Sequence, residues 1–240
     1  TADIFEAAGV PGEEAQIVSQ LLVDANLAGH DSHGVIRIPQ YMEFVKSGQL
    51  RPGAPIDIER ESPSHALING NWGFGQVIAK QAVSLAIHKA KASTISAISI
   101  YNCNHIGRLG SYTMMAAEQG LIGMVMVNAG GGALNVAPYG GTDRRLATNP
   151  ISIAAPRQNG DAIVLDITSS VVAQGKIRVA INRGEPIPLG WLINGKGEPT
   201  TDPRDLNGPP PGALLPLGGS AGHKGFGLGL MIDVLAGAFS

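Results

Sequence analysis

A chain of 240 residues, 44% hydrophobic and 15% charged, can bury a sizeable core as one large domain or two modest ones, and is not disordered. Its formal net charge of −2 and the absence of a Lys/Arg block exclude nucleic acid and anionic membrane as expected partners. The single cysteine, Cys103, excludes an intrachain disulfide framework and fits a reducing compartment. With no secretory signal pattern at Thr1–Glu6 and no apolar run of spanning length, the expected location is the cytoplasm.

Helical and strand patterns mix along the chain. Pro11 to Ala28 reads as an amphipathic helix, with Val18, Leu21, Leu22 and Ala25 at helical spacing and Gly29 as its stop. The segment His30 to Tyr41 leads into a short helix that stops near Gly48. Gln76 to Ala92 is a second long helix, and Ile95 to Tyr101 a buried strand by length and β-branching. A helix over Leu109 to Gln119, closed by Gly120, precedes a strand over Leu121 to Val127. A Gly-rich loop runs from Asn128 through Gly130-Gly131-Gly132 to Pro150. Strands follow at 151–155 and 162–167, then a helix from Ser170 to Asn182. A hairpin and loop occupy Trp191 to Pro203, and an apolar helix Gly225 to Phe239. The class is α/β, with residues 1–70 as a helical N-terminal region and 71–240 as the main α/β domain. The chain stops inside its last helical pattern, so a further C-terminal part is expected.

The 33 glycines, about twice the average usage, have no fixed period and suggest tight turns and close backbone approach to a ligand. Four G-x-G stretches (at Gly73, Gly130, Gly195 and Gly225) lack Gly or Ala three residues further on, so no Rossmann fingerprint is present. Gly190 to Lys196 begins a P-loop pattern, but Gly197 stands where Ser/Thr would bind magnesium. Gly218-Gly219-Ser220-Ala221-Gly222 fits a nucleophile elbow and keeps a serine hydrolase open as the alternative, although only His223 and Asp233 follow to complete a triad. His30 and His33 stand three apart, a zinc-compatible spacing without an obvious third ligand, so no metal is expected.

Three segments carry chemistry. His33, Arg37 and Tyr41 stand at four-residue steps and would face one way if the segment were helical. The Arg37 fork suits a substrate carboxylate, and a surface ion pair is the plainer alternative. His105 lies in a polar loop after the strand ending at Tyr101, where an imidazole can exchange a proton near neutral pH. Cys103, at a strand end, reads as buried and inert. Asp166-Ile167-Thr168-Ser169-Ser170 ends a strand and opens a helix, either as an anion site with Asp166 toward a ribose or as a plain N-cap. Lys224, in the polar insert Gly222-His223-Lys224-Gly225, is a weaker candidate for a phosphate or carboxamide.

Taken in order, several stretches resemble the non-Rossmann malate/L-lactate dehydrogenase family. They are Asp31-Ser32-His33-Gly34 with Arg37, Pro39 and Tyr41, then Asn104-His105-Ile106-Gly107 and Ala137 to Gly141. Ala147 to Pro150, Leu165 to Ser170, Trp191 to Ile193, Thr200 to Pro203 and Gly222 to Gly225 complete the set. Sulfolactate and ureidoglycolate dehydrogenases, diketogulonate reductase and piperideine-2-carboxylate reductase are relatives in that family. The resemblance implies a mainly antiparallel or mixed sheet that binds NAD or NADP, a homodimer, and hydride transfer to or from C2 of a small 2-hydroxy or 2-oxo acid. It implies His33 and His105 as acid/base groups, Arg37 as carboxylate clamp and Tyr41 as a further substrate contact. Asn149, Asp166, Thr168, Ser169, Lys176, His223 and Lys224 match its cofactor-binding stretches. A catalytically inactive relative would keep the same pattern.

Overall fold

The computed structural model describes residues 1–129 and 134–238, so the glycines 130–132 and Phe239 of the expected final helix lie outside the described residues. The chain forms two compact units. The first holds residues 1–124 and 153–164, and the second 125–152 and 165–239. The class is mixed α/β with small sheets.

The first unit opens with α1 (Ala2–Ala7) and α2 (Gly12–Leu27), the latter entered through Pro11 and left through Gly29 at φ +75°. Ala15, Val18, Leu22 and Ala25 of α2 are buried, the i, i+3/i+4 stripe expected of its pattern. Two single turns of 3-10 helix, Asp31–His33 and Val35–Arg37, lead into α3 (Ile38–Ser47), which ends at Gly48 in the left-handed conformation. Pro39 sits in the first turn of α3, where its missing N–H costs nothing. Phe5, Val18, Leu22, Tyr41, Leu50 and Phe74 share one apolar core. Phe74 meets the rings of Phe5 and Tyr41 edge-on at 5.8 and 6.3 Å.

β1 (Asp57–Glu61) and β2 (His65–Asn69) form a hairpin where the sequence reading placed no strand. β1 is charged and exposed along its length, which hides it from an apolar-pattern search and suits a sheet edge. β2 pairs parallel with β3 (Ala97–Tyr101), and α4 (Gly75–Ser93) makes the crossover between them. β3 starts two residues later than expected and is half-buried rather than buried, with Ile95 73% exposed before it. Only one of its faces packs, through Ile98 and Ile100 on the Ile68, Ile78 and Ala82 cluster. α5 (Gly110–Glu118) ends before Gly120 as anticipated.

β4 (Gly123–Met126), β5 (Ile151–Ala155) and β6 (Ile163–Ile167) are hydrogen-bonded in that order. In the second unit, α6 spans Gln174–Arg183 and stops at left-handed Gly184. Its start lies four residues beyond the expected one, because Ser169, Ser170 and Thr168 spend their hydroxyls on nearby carbonyls and the backbone there is not helical. β7 (Leu192–Ile193), β8 (Pro199–Thr200) and β9 (Ala213–Leu214) form an antiparallel sheet in the order β8-β7-β9. Leu146, Ile177, Ile187, Leu192, Leu206 and Leu214 make the core of this unit. α7 (Gly222–Asp233) continues into a π turn at Val234–Ala238. No described helix is long and apolar enough to cross a membrane.

Candidate active site

In the first unit the expected acid/base residues converge, but by tertiary packing rather than by one helix face. Gly34 is extended (φ −91°, ψ −153°) and separates the two 3-10 turns, so the four-residue steps from His33 to Tyr41 do not follow one helix. What gathers them is the loop after β3. The His33 and His105 rings stack with centroids 5.5 Å apart and planes 22° apart. His105 Nδ1 lies 2.6 Å from the Tyr41 hydroxyl. No group of three or more His, Cys, Asp or Glu side chains that could hold a metal ion occurs among the described residues, His30 and His33 included.

Local sequence explains how that loop is held. A Cβ on Gly75, the first residue of α4, would overlap the Asn104 carbonyl oxygen and lie 2.5 Å from that of His105, so only glycine lets the loop rest on the helix. The Asn104 amide donates to the carbonyls of Trp72 and Gly73 at 2.8 and 3.2 Å. Tyr112 donates its hydroxyl to the Ile106 carbonyl. On the other side Arg37 Nε donates to the Ser32 carbonyl at 2.7 Å and Nη1 to Gln40 Oε1 at 2.9 Å, which orients the guanidinium. Ser32 Oγ lies 2.9 Å from His33 Nδ1 and fixes that ring.

The electrostatics follow from burial next to a cation. Burial, then the positive charges of Arg37 and His30, lowers the His33 pKa to about 4. Burial, Arg37 and His33 hold His105 well below its ordinary value. Both imidazoles are therefore neutral near pH 7. Burial pushes the Tyr41 phenol up to about 12 and the Cys103 thiol up to about 12, so Tyr41 keeps its proton and Cys103 is not a nucleophile. Tyr41 is 1% exposed: its ring belongs to the core and its hydroxyl is taken by His105 and by Gln76 Nε2 at 2.7 Å. Gln76 went unnoticed in the sequence, where it reads only as the start of a helix.

The second unit carries the residues assigned to the cofactor. Asn149 is fully buried at φ +28°, and its Nδ2 donates to the Gly229 carbonyl at 3.0 Å and to Asp233 at 3.2 Å. Its Oδ1 is buried without a partner among the described residues. Asp166, the residue before the end of β6, is half-buried, and Thr168 Oγ1 donates to the Ser170 carbonyl. Ser169 Oγ donates to the Thr148 carbonyl, so neither hydroxyl caps a helix. Lys176 is exposed in the first turn of α6, and His223 and Lys224 are exposed in the first turn of α7. Neither helix start carries an acidic residue. A lysine at the positive end of a helix dipole is unfavourable unless an anion is bound there, so Lys176 and Lys224 each fit a phosphate-bearing group. The unpartnered Asn149 oxygen fits an amide donor.

Ser220 sits in a short 3-10 turn, Gly219–Ala221, and its carbonyl accepts from Tyr139. His223 packs against Tyr139 at 5.6 Å rather than serving Ser220 as a base, so the hydrolase alternative finds no support.

The sequence matches the family described as malate/L-lactate dehydrogenase over residues 1–240. The chain belongs to the malate/L-lactate dehydrogenase family. It is 46% identical over 237 residues to a malate dehydrogenase of Pyrococcus abyssi, covering 97% of this chain and 64% of that protein. It is 43% identical over 235 residues to a malate/(S)-sulfolactate dehydrogenase of Methanothermus fervidus, covering 98% of this chain and 66% of the relative. The structure of a Δ1-piperideine-2-carboxylate reductase of Pseudomonas syringae superposes with a TM-score of 0.91 at 33% identity, over 99% of this chain and 69% of that chain. The chain thus spans a little under two thirds of the length of the curated malate/L-lactate dehydrogenase relatives it matches.

Proposed function

We propose that this chain provides the substrate and cofactor residues of an NAD(P)-dependent oxidoreductase acting at C2 of a small 2-hydroxy or 2-oxo acid. The observation that carries the reading is the placing of two neutral, stacked imidazoles, His33 and His105, in the field of one oriented guanidinium, Arg37. The names of the malate and malate/sulfolactate dehydrogenase relatives support the hydroxy-acid class. A bound nicotinamide would accept or supply the hydride.

Arg37 clamps the carboxylate and orients C2. In the oxidative direction neutral His105 takes the hydroxyl proton. In the reductive direction the His105 imidazolium returns a proton to the oxygen as hydride reaches carbon. The carboxylate itself helps this step: its charge offsets Arg37, one of the causes that lower His105, and so raises the pKa of His105 when substrate is present. His33, stacked on the ring, orients it. Lys176, His223 and Lys224 are the residues proposed to hold the cofactor phosphates. Asn149 is proposed to accept from its carboxamide, with Asp166, Thr168 and Ser169 shaping the same cradle. A homodimer in the cytoplasm belongs to this reading, supported by the family resemblance and the lone cysteine.

The test is oxidation of NADH and of NADPH by this chain across 2-oxo acids and one cyclic imine carboxylate. Turnover lost in His105→Ala supports the proposal. A folded protein that neither binds nor oxidises either cofactor overturns it.

A further inference from the structure

Behind the Tyr41 hydroxyl lies Gln76, which the reaction above does not use. It is the second residue of α4 and 1% exposed. Its Nε2 donates to the Tyr41 oxygen at 2.7 Å, while its Oε1 is buried and has no partner among the described residues. A half-turn of a primary amide exchanges donor for acceptor with almost no change of shape. His105 makes no hydrogen bond to a described residue other than Tyr41, so its Nε2 is left to substrate.

We infer that Gln76 is a positioning residue for the His105 proton: by turning either Nε2–H or Oε1 toward Tyr41, it sets the direction of the Tyr41–His105 hydrogen bond and so which imidazole nitrogen is protonated. The inference rests on the acid/base role proposed for His105. With Nε2–H toward Tyr41, the phenol donates into His105 Nδ1, and the neutral ring carries its proton on Nε2. With Oε1 toward Tyr41, the phenol donates to the amide and accepts from Nδ1–H. Nε2 is then bare in the neutral ring, or protonated in the imidazolium, and the ring can exchange a proton with substrate oxygen in either direction. The structure places Gln76 Nε2 toward Tyr41, as in the first arrangement, and the unpartnered Oε1 is the acceptor that the second one needs. The charged and titratable groups around this relay are His33 and Arg37 before α3, Tyr41 on α3, Cys103 in the same loop and Tyr112 on α5. Tyr112 spends its proton on the Ile106 carbonyl and so leaves the relay to Gln76.

Nitrogen NMR of the imidazoles in the whole chain, without cofactor, reads this directly, with the His105 signals assigned by their loss in His105→Gln. Near neutral pH the wild type is expected to carry the His105 proton on Nε2. In Gln76→Leu the Tyr41 proton still has neutral Nδ1 as acceptor, so the neutral ring keeps its proton on Nε2, but no acceptor remains for the phenol once Nδ1 is protonated, and the His105 titration midpoint falls. In Gln76→Glu an acceptor replaces the donor, so the proton moves to Nδ1 and the midpoint rises. A packing defect does not move the two variants in opposite directions. If Gln76→Leu fails to fold, the wild-type tautomer and Gln76→Glu still decide. A wild-type proton on Nδ1, or folded variants that titrate like the wild type, overturns the inference. In turnover, Gln76→Leu is expected to lower kcat about tenfold or more with less change in KM. Failure of the functional reading would instead show as absent turnover in the wild type with the NMR pattern intact.

Discussion

The Tyr41 hydroxyl reaches His105 Nδ1 at 2.6 Å across 64 residues of sequence, tying α3 to the loop after β3. Tyr41 suits this place because its ring packs in the core against Phe74 while its oxygen reaches the polar edge. Tyr41→Phe keeps the ring and removes the bond, leaving His105 Nδ1 and Gln76 Nε2 unpaired. Stability is expected to fall by about 1–3 kcal/mol, as for an orphaned buried polar group. A drop in kcat larger than any rise in KM is the kinetic signature, read from thermal melts and steady-state rates together.

Arg37 is held by Ser32 and Gln40, so its head group is oriented before substrate arrives. Arg37→Lys keeps charge and loses the fork, and is expected to raise KM for a 2-oxo acid about 10- to 100-fold, the range of one charge-assisted hydrogen bond at about 1.5–3 kcal/mol. Because Arg37 also lowers His33 and His105, Arg37→Ala is expected to move the acid limb of the pH–rate profile for 2-hydroxy acid oxidation, where neutral His105 is the base, to higher pH. An unshifted limb would show that the guanidinium does not act on the imidazoles.

Gly75→Ala tests the seating of the loop after β3. The added methyl would overlap the Asn104 carbonyl oxygen, which is backbone and cannot turn aside. Overpacking of this kind costs about 1–3 kcal/mol. The variant is expected to melt lower and to lose kcat, since the loop that moves carries His105. Gly120→Ala, where nothing lies near the new Cβ but φ is +76°, should lower the melt without the loss of kcat.

Acid should weaken the first unit through its buried imidazoles. His33 has a folded pKa of about 4, against 6.5 when unfolded. Between these values the unfolded chain binds more protons, so stability rises with pH across the window and is lost as pH falls through it. For His33 the full difference is about 3 kcal/mol, reached below the folded pKa. His105 adds a term of the same sign. Urea midpoints at about pH 7 and about pH 5 should differ, and His33→Gln should flatten the difference.

The sequence displayed most helices, because α2, α3 and α4 carry clear stripes and glycine or proline boundaries. It concealed β1, whose residues are charged and exposed, and misplaced the start of α6, where the Ser/Thr cluster bonds to its own backbone. His33, Arg37, Tyr41 and His105 were legible as chemistry, yet the reason for their meeting was not. Helical spacing suggested one face, whereas the extended Gly34 breaks that helix and the Gly75 cleft brings His105 to them. Gln76 was invisible because a glutamine at a helix start is ordinary until its burial is known.

Hydride exchange at C2 is tested most directly by a 2-hydroxy acid deuterated at that carbon. Incubated with oxidised NAD or NADP and this chain, it should yield reduced cofactor carrying the deuterium on the nicotinamide ring, and His105→Ala should abolish the transfer. Reduced cofactor without deuterium, or label released to water while substrate is consumed, would contradict the account.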